Sequence, residues 1–218
     1  MFPRWLIKTG FYLLYHQMAW SYDLVAWIVS FGQWPAWRRL ALQFMRPGPA
    51  LELAYGTGAF FVDMLDCGYR PVGIDASPFM ARIASNRLRK NNHDLHLSQA
   101  RAQALPFPNN TFTNVVATFP TDYILEGETL AEIYRVLRDP TPNFPSRLIV
   151  VAEGQLRGPW PIRPFINWLY KVTGQRDTPL EKPMAPLAQH NFAARWEFVE
   201  HSGAAARLII AEKLPPES

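Results

Sequence analysis

The chain has 218 residues, of which 49% are hydrophobic and 18% are charged. This length and composition indicate a folded globular domain and exclude a disordered chain. The net charge of +4 is modest and no run of five basic residues occurs, so nucleic acid is not favoured as a partner. Contact with an acidic membrane surface stays open.

The cysteine and histidine content argues against a metal site. Cys67 is the sole cysteine, which excludes an internal disulfide and a cysteine-based metal site. The five histidines show no zinc-motif spacing, so we expect no metal.

The N-terminus lacks the pattern of a signal peptide, and His16, Gln17 and Asp23 interrupt the apolar run that follows it. We therefore expect a cytoplasmic protein without a membrane-spanning helix.

The first part of the chain is predicted to form two helices. They cover roughly residues 11–30 and 34–45, and Gly32 and Pro35 mark the break between them. The first helix is aromatic on more than one face, which is typical of a helix that is buried or lies against a ligand or a lipid surface. We expect residues 1–46 to form a helical cap.

Strands and helices then alternate along the chain. Apolar runs predict strands that end near Ala54, at Asp75, at Thr118 and near Glu153, and residues 94–102 are predicted to hold the third strand and its following loop. Helical patterns cover residues 56–68, 78–92 and 127–138. The last segment, residues 196–213, is predicted to form two strands around a turn at 202–203. These patterns predict an α/β fold with three layers, in which helices cover a doubly wound, mostly parallel sheet of seven strands with a C-terminal antiparallel hairpin.

Two glycines follow the first predicted strand, at the edge of the sheet where such folds bind ligands. Gly56 and Gly58 let a ligand approach the backbone, and Asp75 ends the next strand 19 residues after Gly56, where it can accept both hydroxyls of a ribose. Glu52 would repel a pyrophosphate but attract a cation. The pattern favours S-adenosylmethionine, which has one ribose, no phosphate and a positive charge. The alternative is a Gly-x-Gly turn that only joins a strand to a helix.

Several motifs in residues 50–152 resemble those of class I S-adenosylmethionine-dependent methyltransferases. ELAYGTGAF, which begins at Glu52, resembles the first motif with Ala54 in place of a glycine, and VGIDASPFM resembles the second. ARAQALPFPNNTFTNVVATF resembles the third and fourth, and RVLR resembles the end of the helix that follows. The resemblance implies a Rossmann-like methyltransferase domain over residues 47–218, with a proline-rich insertion on the substrate side at 154–190.

The resemblance also implies which residues contact S-adenosyl-L-methionine. Glu52 would face the methionine amino group, Asp75 would bind the ribose, and Ala76 and Met80 would flank the adenine. Arg101 departs from the family pattern, because an arginine cannot accept a hydrogen bond from the adenine amino group. The full implied set is Glu52, Ala54, Tyr55, Gly56, Thr57, Gly58, Asp75, Ala76, Met80, Arg101, Ala102, Gln103, Thr118, Phe119 and Tyr22.

The segment SYDLVAWIVSFGQWPAWRR, residues 21–39, is similar to the entrance segment of ubiquinone/menaquinone C-methyltransferases (the methyltransferase type 11 group). Tyr22, Asp23, Ser30, Trp37 and Arg38 match that pattern. The resemblance implies a lid over the cofactor and an apolar acceptor site. The alternative for the aromatic residues is ordinary helix packing.

The acceptor side of the site rests on residues after the fourth predicted strand. Asp122 and Tyr123 are the candidate catalytic residues, with helix capping and packing as their alternatives. Phe119 and four aromatic residues of the proline-rich segment, Trp160, Phe165, Trp168 and Tyr170, would line an apolar pocket. We expect a small apolar or aromatic acceptor, quinone-like or lipid. The alternatives are a non-catalytic cofactor-binding module and a peripheral membrane protein, and the chain is either a monomer or a homodimer.

Overall fold

A computed structural model describes residues 22–141, 144–155 and 183–215. The helices of this part are α1 (Tyr22–Val29), α2 (Trp34–Arg39), α3 (Ala59–Asp66), α4 (Pro78–Lys90), α5 (Gly127–Val136) and α6 (Met184–Gln189). Short 3-10 helices cover Leu40–Phe44 and Asp122–Leu125. The strands are β1 (Ala50–Leu53), β2 (Pro71–Asp75), β3 (Leu97–Gln99), β4 (Asn114–Thr118), β5 (Arg147–Gln155), β6 (Phe192–His201) and β7 (Ala204–Lys213).

The seven strands form one sheet in the order β3-β2-β1-β4-β5-β7-β6. β7 runs antiparallel to both of its neighbours, and every other pair of adjacent strands is parallel. The strand order reverses between β1 and β4, which is the switch point of a doubly wound fold and the usual place for its ligand. The predicted fold class is thus confirmed, including the antiparallel hairpin at the C-terminal end.

Helices cover both faces of this sheet. Successive residues of a strand point to opposite faces, so each central strand contributes to an apolar cluster on either side. Leu148 and Val150 of β5 pack in the apolar cluster that includes α5, while Ile149 and Val151 pack in the cluster that includes α2, α3 and α4. The two clusters account for the nearly continuous apolar runs of the central strands, because both faces of these strands are buried.

The second helix of the predicted cap packs directly against the sheet. Trp37 is buried with its ring against the backbone of Gly154 in β5, where an added Cβ atom would lie 2.1 Å from the ring. This helix ends as the 3-10 helix Leu40–Phe44, whose Leu40 and Ala41 belong to the same apolar cluster. The division of the chain at residue 46 stays a prediction, and these contacts join the last helix before it to the sheet domain.

One strand begins earlier than the sequence predicts, and two predicted segments are only partly described. β6 begins at Phe192 rather than near Trp196, because its first residues pair with the end of β7. The predicted helix over 11–30 and the insertion over 154–190 lie partly outside the described residues. None of the helices in the described ranges reaches the length and apolarity needed to cross a lipid bilayer.

Candidate cofactor site

A cavity of about 410 Å³ lies at the carboxyl edge of the sheet, where the ends of β1, β2 and β4 and the loops after β1 and β4 line it. These are the strands at and beside the switch point. Ligand sites for small molecules are typically about 300–1,000 Å³. The predicted site residues that line the cavity are Glu52, Ala54, Tyr55, Gly56, Thr57, Asp75, Thr118, Phe119 and Tyr123.

The loop after β1 turns sharply through left-handed backbone conformations. Gly56 and Gly58 have φ angles of 54° and 73°, which glycine adopts without strain. Gly58 is required for a second reason, since a Cβ atom there would lie 2.9 Å from Cβ of Ala84 on α4. Ala54 has φ 52° and a side chain, a combination that costs roughly 1–2 kcal/mol. The glycine that the family has at this position would avoid that strain.

Asp75 joins this loop to the end of β2. One carboxylate oxygen, Oδ2, accepts a hydrogen bond from the Gly56 N–H at 2.8 Å, and Oδ1 accepts one from the Ser77 N–H at 2.8 Å. Burial raises the pKa of Asp75, and the backbone N–H groups of Ser77 and Gly56 oppose this rise. A carboxylate has about four lone pairs, so Asp75 can still accept a hydrogen bond from a ribose hydroxyl.

Glu52 carries a buried oxygen atom that is unsatisfied within the described structure. Its side chain lines the cavity from β1 and is 1% exposed, and none of the described residues provides a hydrogen-bond partner for Oε2. Burial raises the pKa of Glu52 well above its ordinary value, Arg38 lowers it in part, and Asp75 and Asp63 raise it further. A positively charged donor in the cavity would satisfy this oxygen and favour the ionised carboxylate.

An aromatic wall faces these carboxyl groups. The Trp34 and Phe119 rings lie 4.0 Å apart between centroids at an angle of 32°, and both line the cavity. Tyr55 lines it as well, and burial together with the charges of Asp75 and Glu52 raises its pKa to about 12. The two tryptophans of α2 therefore differ in position. Trp37 packs in the core, as the helix-packing alternative expects, and Trp34 forms part of the cavity wall.

Six of the predicted cofactor contacts do not line this cavity. Gly58 packs against α4, Met80 and Ala102 are buried, and Ala76 and Arg101 are exposed. The side-chain amide nitrogen of Gln103 donates a hydrogen bond to Glu126 at 2.6 Å. The assignment of these residues to the adenine stays a prediction. The side chain of Tyr22 lies outside the described residues, as do the four aromatic residues of the proline-rich segment.

The two candidate catalytic residues differ in position. Asp122 is exposed and begins the 3-10 helix Asp122–Leu125, whereas Tyr123 is half-buried and lines the cavity. Tyr123 is therefore the one placed to touch a bound molecule. A catalytic role for either residue stays a prediction.

Among the described residues, seven that line the cavity were absent from the predicted site set, namely Asp23, Trp34, Arg38, Ala59, Phe60, Pro120 and Thr121. Arg87, also absent from that set, contacts Asp23 and Thr57 beside the cavity. Asp23, Trp34 and Arg38 lie in the entrance-segment motif, so the resemblance already carried a signal for them. Arg87 had none, because it is one of several basic residues of α4.

The geometry fits S-adenosylmethionine on three separate observations. The unsatisfied Glu52 oxygen suits the ammonium group of the methionine part, the loop around Gly56 leaves space beside its backbone, and Asp75 can accept from a ribose. No phosphate-binding cation or helix N-terminus is needed for this ligand.

Comparisons with known proteins agree with this fit. A family model described as a methyltransferase domain matches residues 50–140. The demethylmenaquinone methyltransferase of Thermus thermophilus is 32% identical over 187 residues, which cover 83% of this chain and 79% of that relative. The ubiquinone/menaquinone biosynthesis C-methyltransferase UbiE of Pasteurella multocida is 31% identical over 134 residues, and the match covers 57% of this chain and 50% of that protein. The chain thus spans about half the length of the latter.

Solved structures show the same fold at low sequence identity. A Methanococcus maripaludis protein assigned to the S-adenosyl-L-methionine-dependent methyltransferases has a TM-score of 0.66 at 16% identity, covering 91% of this chain and 93% of its own. Geranyl diphosphate C-methyltransferase from Streptomyces coelicolor has a TM-score of 0.59 at 13% identity, covering 82% and 79%. The chain belongs to the class I S-adenosylmethionine-dependent methyltransferases. Within that class it resembles the demethylmenaquinone and ubiquinone/menaquinone methyltransferases.

Proposed function

We propose that this methyltransferase acts on a small apolar, aromatic acceptor of the quinone type, with its cofactor bound between Glu52 and Asp75. The observation that carries the cofactor position is the buried Glu52 oxygen, which faces the cavity without a partner among the described residues. Leaving such a group unsatisfied is costly, so a cationic ligand at this place is strongly favoured.

The cofactor supplies an electrophilic methyl group on a sulfonium centre. The chain's own residues then have two tasks, which are to hold the reactants in line and to exclude water. Glu52 and Asp75 hold the methionine part and the ribose of the cofactor, on either side of the sulfonium, and correct orientation alone can contribute about 7–11 kcal/mol in favourable cases. The apolar wall of Trp34 and Phe119 keeps water from the reacting atoms and strengthens the charge interactions beside it.

The acceptor class is supported by the aromatic wall and by the names of the relatives. Phe119 follows β4 directly and Tyr123 lies four residues further on. Strands β4 and β2 flank β1, which carries Glu52, so Phe119 and Tyr123 line the cavity from the β4 side and Asp75 lines it from the β2 side. A flat apolar ring packs favourably against such side chains, in offset or edge-to-face arrangements. The two relatives at 32% and 31% identity are named for menaquinone and ubiquinone methylation.

Calorimetric titration with S-adenosylmethionine tests the cofactor site. We expect binding by the unaltered chain and a loss of about tenfold or more in affinity for Glu52→Gln, which keeps the shape but removes the charge. Asp66→Asn is the matched control, because Asp66 is an exposed acidic residue at the end of α3 outside this cavity. Equal affinities of Glu52→Gln and the unaltered chain would refute the proposed site.

Turnover on candidate acceptors separates an enzyme from a cofactor-binding module. Incubation with demethylated quinones and simple phenols, followed by mass spectrometry, should show the gain of one methyl group in place of hydrogen. Cofactor binding without turnover on any acceptor would instead favour the non-catalytic module.

A second candidate, contact with a membrane surface, is favoured by the outer face of α1. Leu24, Trp27 and Ile28 lie on one face of α1 and are 55% or 56% exposed. Phe31, in the turn that follows the helix, is 45% exposed. Tryptophan and phenylalanine are typical of helices that lie in a lipid interface, and the net charge of +4 suits an anionic surface. The occupant that we propose for this face is an anionic bilayer, from which an apolar acceptor reaches the cavity beside α1.

A further inference from the structure

α1 has a small buried face among its described side chains. Ala26 is buried on the helix and Ser30 is buried just beyond its end, whereas Leu24, Trp27 and Ile28 are largely exposed. Apolar stabilisation is roughly proportional to the area removed from water, and alanine removes little. The described side chains of α1 therefore contribute little buried apolar area.

A closed network of polar contacts joins the start of α1 to the glycine loop. The hydroxyl of Thr57 donates to Asp23 Oδ1 at 2.8 Å and accepts from Arg87 Nη1 at 2.8 Å. The Nη2 group of Arg87 pairs with Asp23 Oδ2 and completes the network. Each of the three side chains thus contacts the other two, and the guanidinium fork fixes their relative positions.

The network lies at the cofactor cavity. Thr57 stands between Gly56 and Gly58, and both Thr57 and Asp23 line the cavity. Arg87 follows Ala84 by three residues on α4, so it lies on the face of α4 that packs against the glycine loop. Asp23 also lines a neighbouring cavity of about 370 Å³, which places it in the partition between the two cavities.

We infer that Arg87 is a positioning residue for cofactor binding, because it holds Asp23 and Thr57 together and so keeps α1 on the glycine loop as a wall of the cavity. This inference rests on the proposed cofactor site. Arg87 itself does not line that cavity, and it acts through the loop and through α1.

The size of the effect follows from the exposure of the ion pair. The Arg87 and Asp23 side chains are 28% and 44% exposed, so their ion pair alone contributes little. The hydrogen bonds to the buried Thr57 are charge-assisted and stronger. We expect loss of the network to weaken cofactor binding by about threefold to tenfold.

The test compares Arg87→Met with Arg89→Met, an exposed arginine on the same helix that serves as the matched control. Arg87→Met should raise the Kd for S-adenosylmethionine by the stated factor, while Arg89→Met should leave it unchanged. In the absence of cofactor, backbone hydrogen exchange of residues 22–33 should become faster in Arg87→Met alone. The midpoint of thermal unfolding should shift by less than about 4 °C, because most of the core is untouched.

Charge exchange distinguishes a positioning role from a general structural one. Asp23→Arg and Arg87→Asp should each weaken binding, and the double variant should recover part of the affinity and of the exchange protection. The inference is overturned if Arg87→Met matches Arg89→Met in both measurements. If the unaltered chain does not bind the cofactor, the proposed site fails, and the hydrogen-exchange comparison still decides whether Arg87 holds α1 on the loop.

Discussion

At the scale of single residues, the buried carboxyl group of Glu52 makes both the stability of the chain and its affinity for the cofactor depend on pH. Its pKa is raised well above the ordinary value by burial, so the carboxyl group binds a proton in the folded chain at pH values where it is ionised in the unfolded chain. The folded state then holds more protons than the unfolded state in this window. By linkage, the free energy of unfolding falls as the pH rises from the unfolded pKa through the folded pKa.

We therefore expect Glu52→Gln to stabilise the cofactor-free chain at pH values above this window and to flatten the pH dependence of its stability. The gain is about 1.4 kcal/mol for each unit by which the folded pKa is raised. Urea unfolding at several pH values measures it. In the unaltered chain, affinity for S-adenosylmethionine should rise with pH through the same window, because binding favours the ionised carboxylate and releases a proton. A Glu52→Gln variant less stable than the unaltered chain throughout would contradict this account.

Single residues also show how far motif reading reaches. The spacing of 19 residues predicted that Asp75 ends the strand after the Gly56 loop, and the structure also joins the two residues by a hydrogen bond of 2.8 Å from the Gly56 N–H to Asp75 Oδ2. The spacing is informative because parallel neighbouring strands end at the same edge of the sheet. The left-handed conformation of Ala54 was not predicted, because an alanine carries no local signal for a positive φ.

At the scale of elements, α2 is held on the sheet by one tight contact and one charge cluster. The Trp37 ring rests on Gly154 of β5, and Arg38 and Arg39 donate to the two oxygens of the buried Asp63 on α3 at 2.6 and 2.7 Å. Arg38 also lies close enough to Glu52 to lower its pKa. The packing of α2 therefore places both the aromatic wall and a cation at the cofactor cavity.

Gly154→Ala should disturb this contact. A methyl group 2.1 Å from the Trp37 ring forces the ring or the strand to move, and overpacking of this kind costs about 1–3 kcal/mol or more. Gly127→Ala is the matched control, because its Cβ would meet His190 only at 3.4 Å and its φ is ordinary for any residue. Denaturant unfolding should show a clear loss for the first variant and a change of about 1 kcal/mol or less for the second. Equal stabilities would refute the contact.

The ends of most strands and helices could be predicted from the sequence. The ends of β1, β2 and β4 and the start of α4 at Pro78 agree with the sequence pattern, and Ser77 caps α4 by accepting from the Met80 N–H at 3.3 Å. Strand β6 was predicted to begin too late, because its first residues, Phe192–Arg195, are assigned to the strand by their pairing with the end of β7.

At the scale of the whole molecule, the exposed face of α1 and the net positive charge predict binding to anionic lipid. The chain should sediment with vesicles that contain anionic phospholipid and should remain in the supernatant with neutral vesicles. Replacing Leu24, Trp27 and Ile28 by serine should abolish the association, because these exposed side chains form the apolar outer face of α1. Far-ultraviolet circular dichroism of the variant serves as the folding control.

Sedimentation of the variant with anionic vesicles to the same extent as the unaltered chain would refute the membrane contact. Analytical ultracentrifugation without lipid tests whether a second copy of the chain, rather than a membrane, binds this face. If the unaltered chain dimerises and the serine variant does not, the face is an interface between two copies of the chain, and the membrane proposal is wrong.

The sequence by itself determined the α/β fold, the cofactor class and the position of Asp75 at the end of the strand that follows the glycine loop. These depend on periodicity, on glycine and on the spacing between consecutive strands, all of which are local properties of the chain. The tertiary structure alone decided that Trp34 rather than Trp37 reaches the cavity, that Asp122 lies outside it, and that Arg87 meets Asp23 across 64 residues of chain. Such contacts depend on how separate elements pack, and no single segment carries a signal for the partner that it meets.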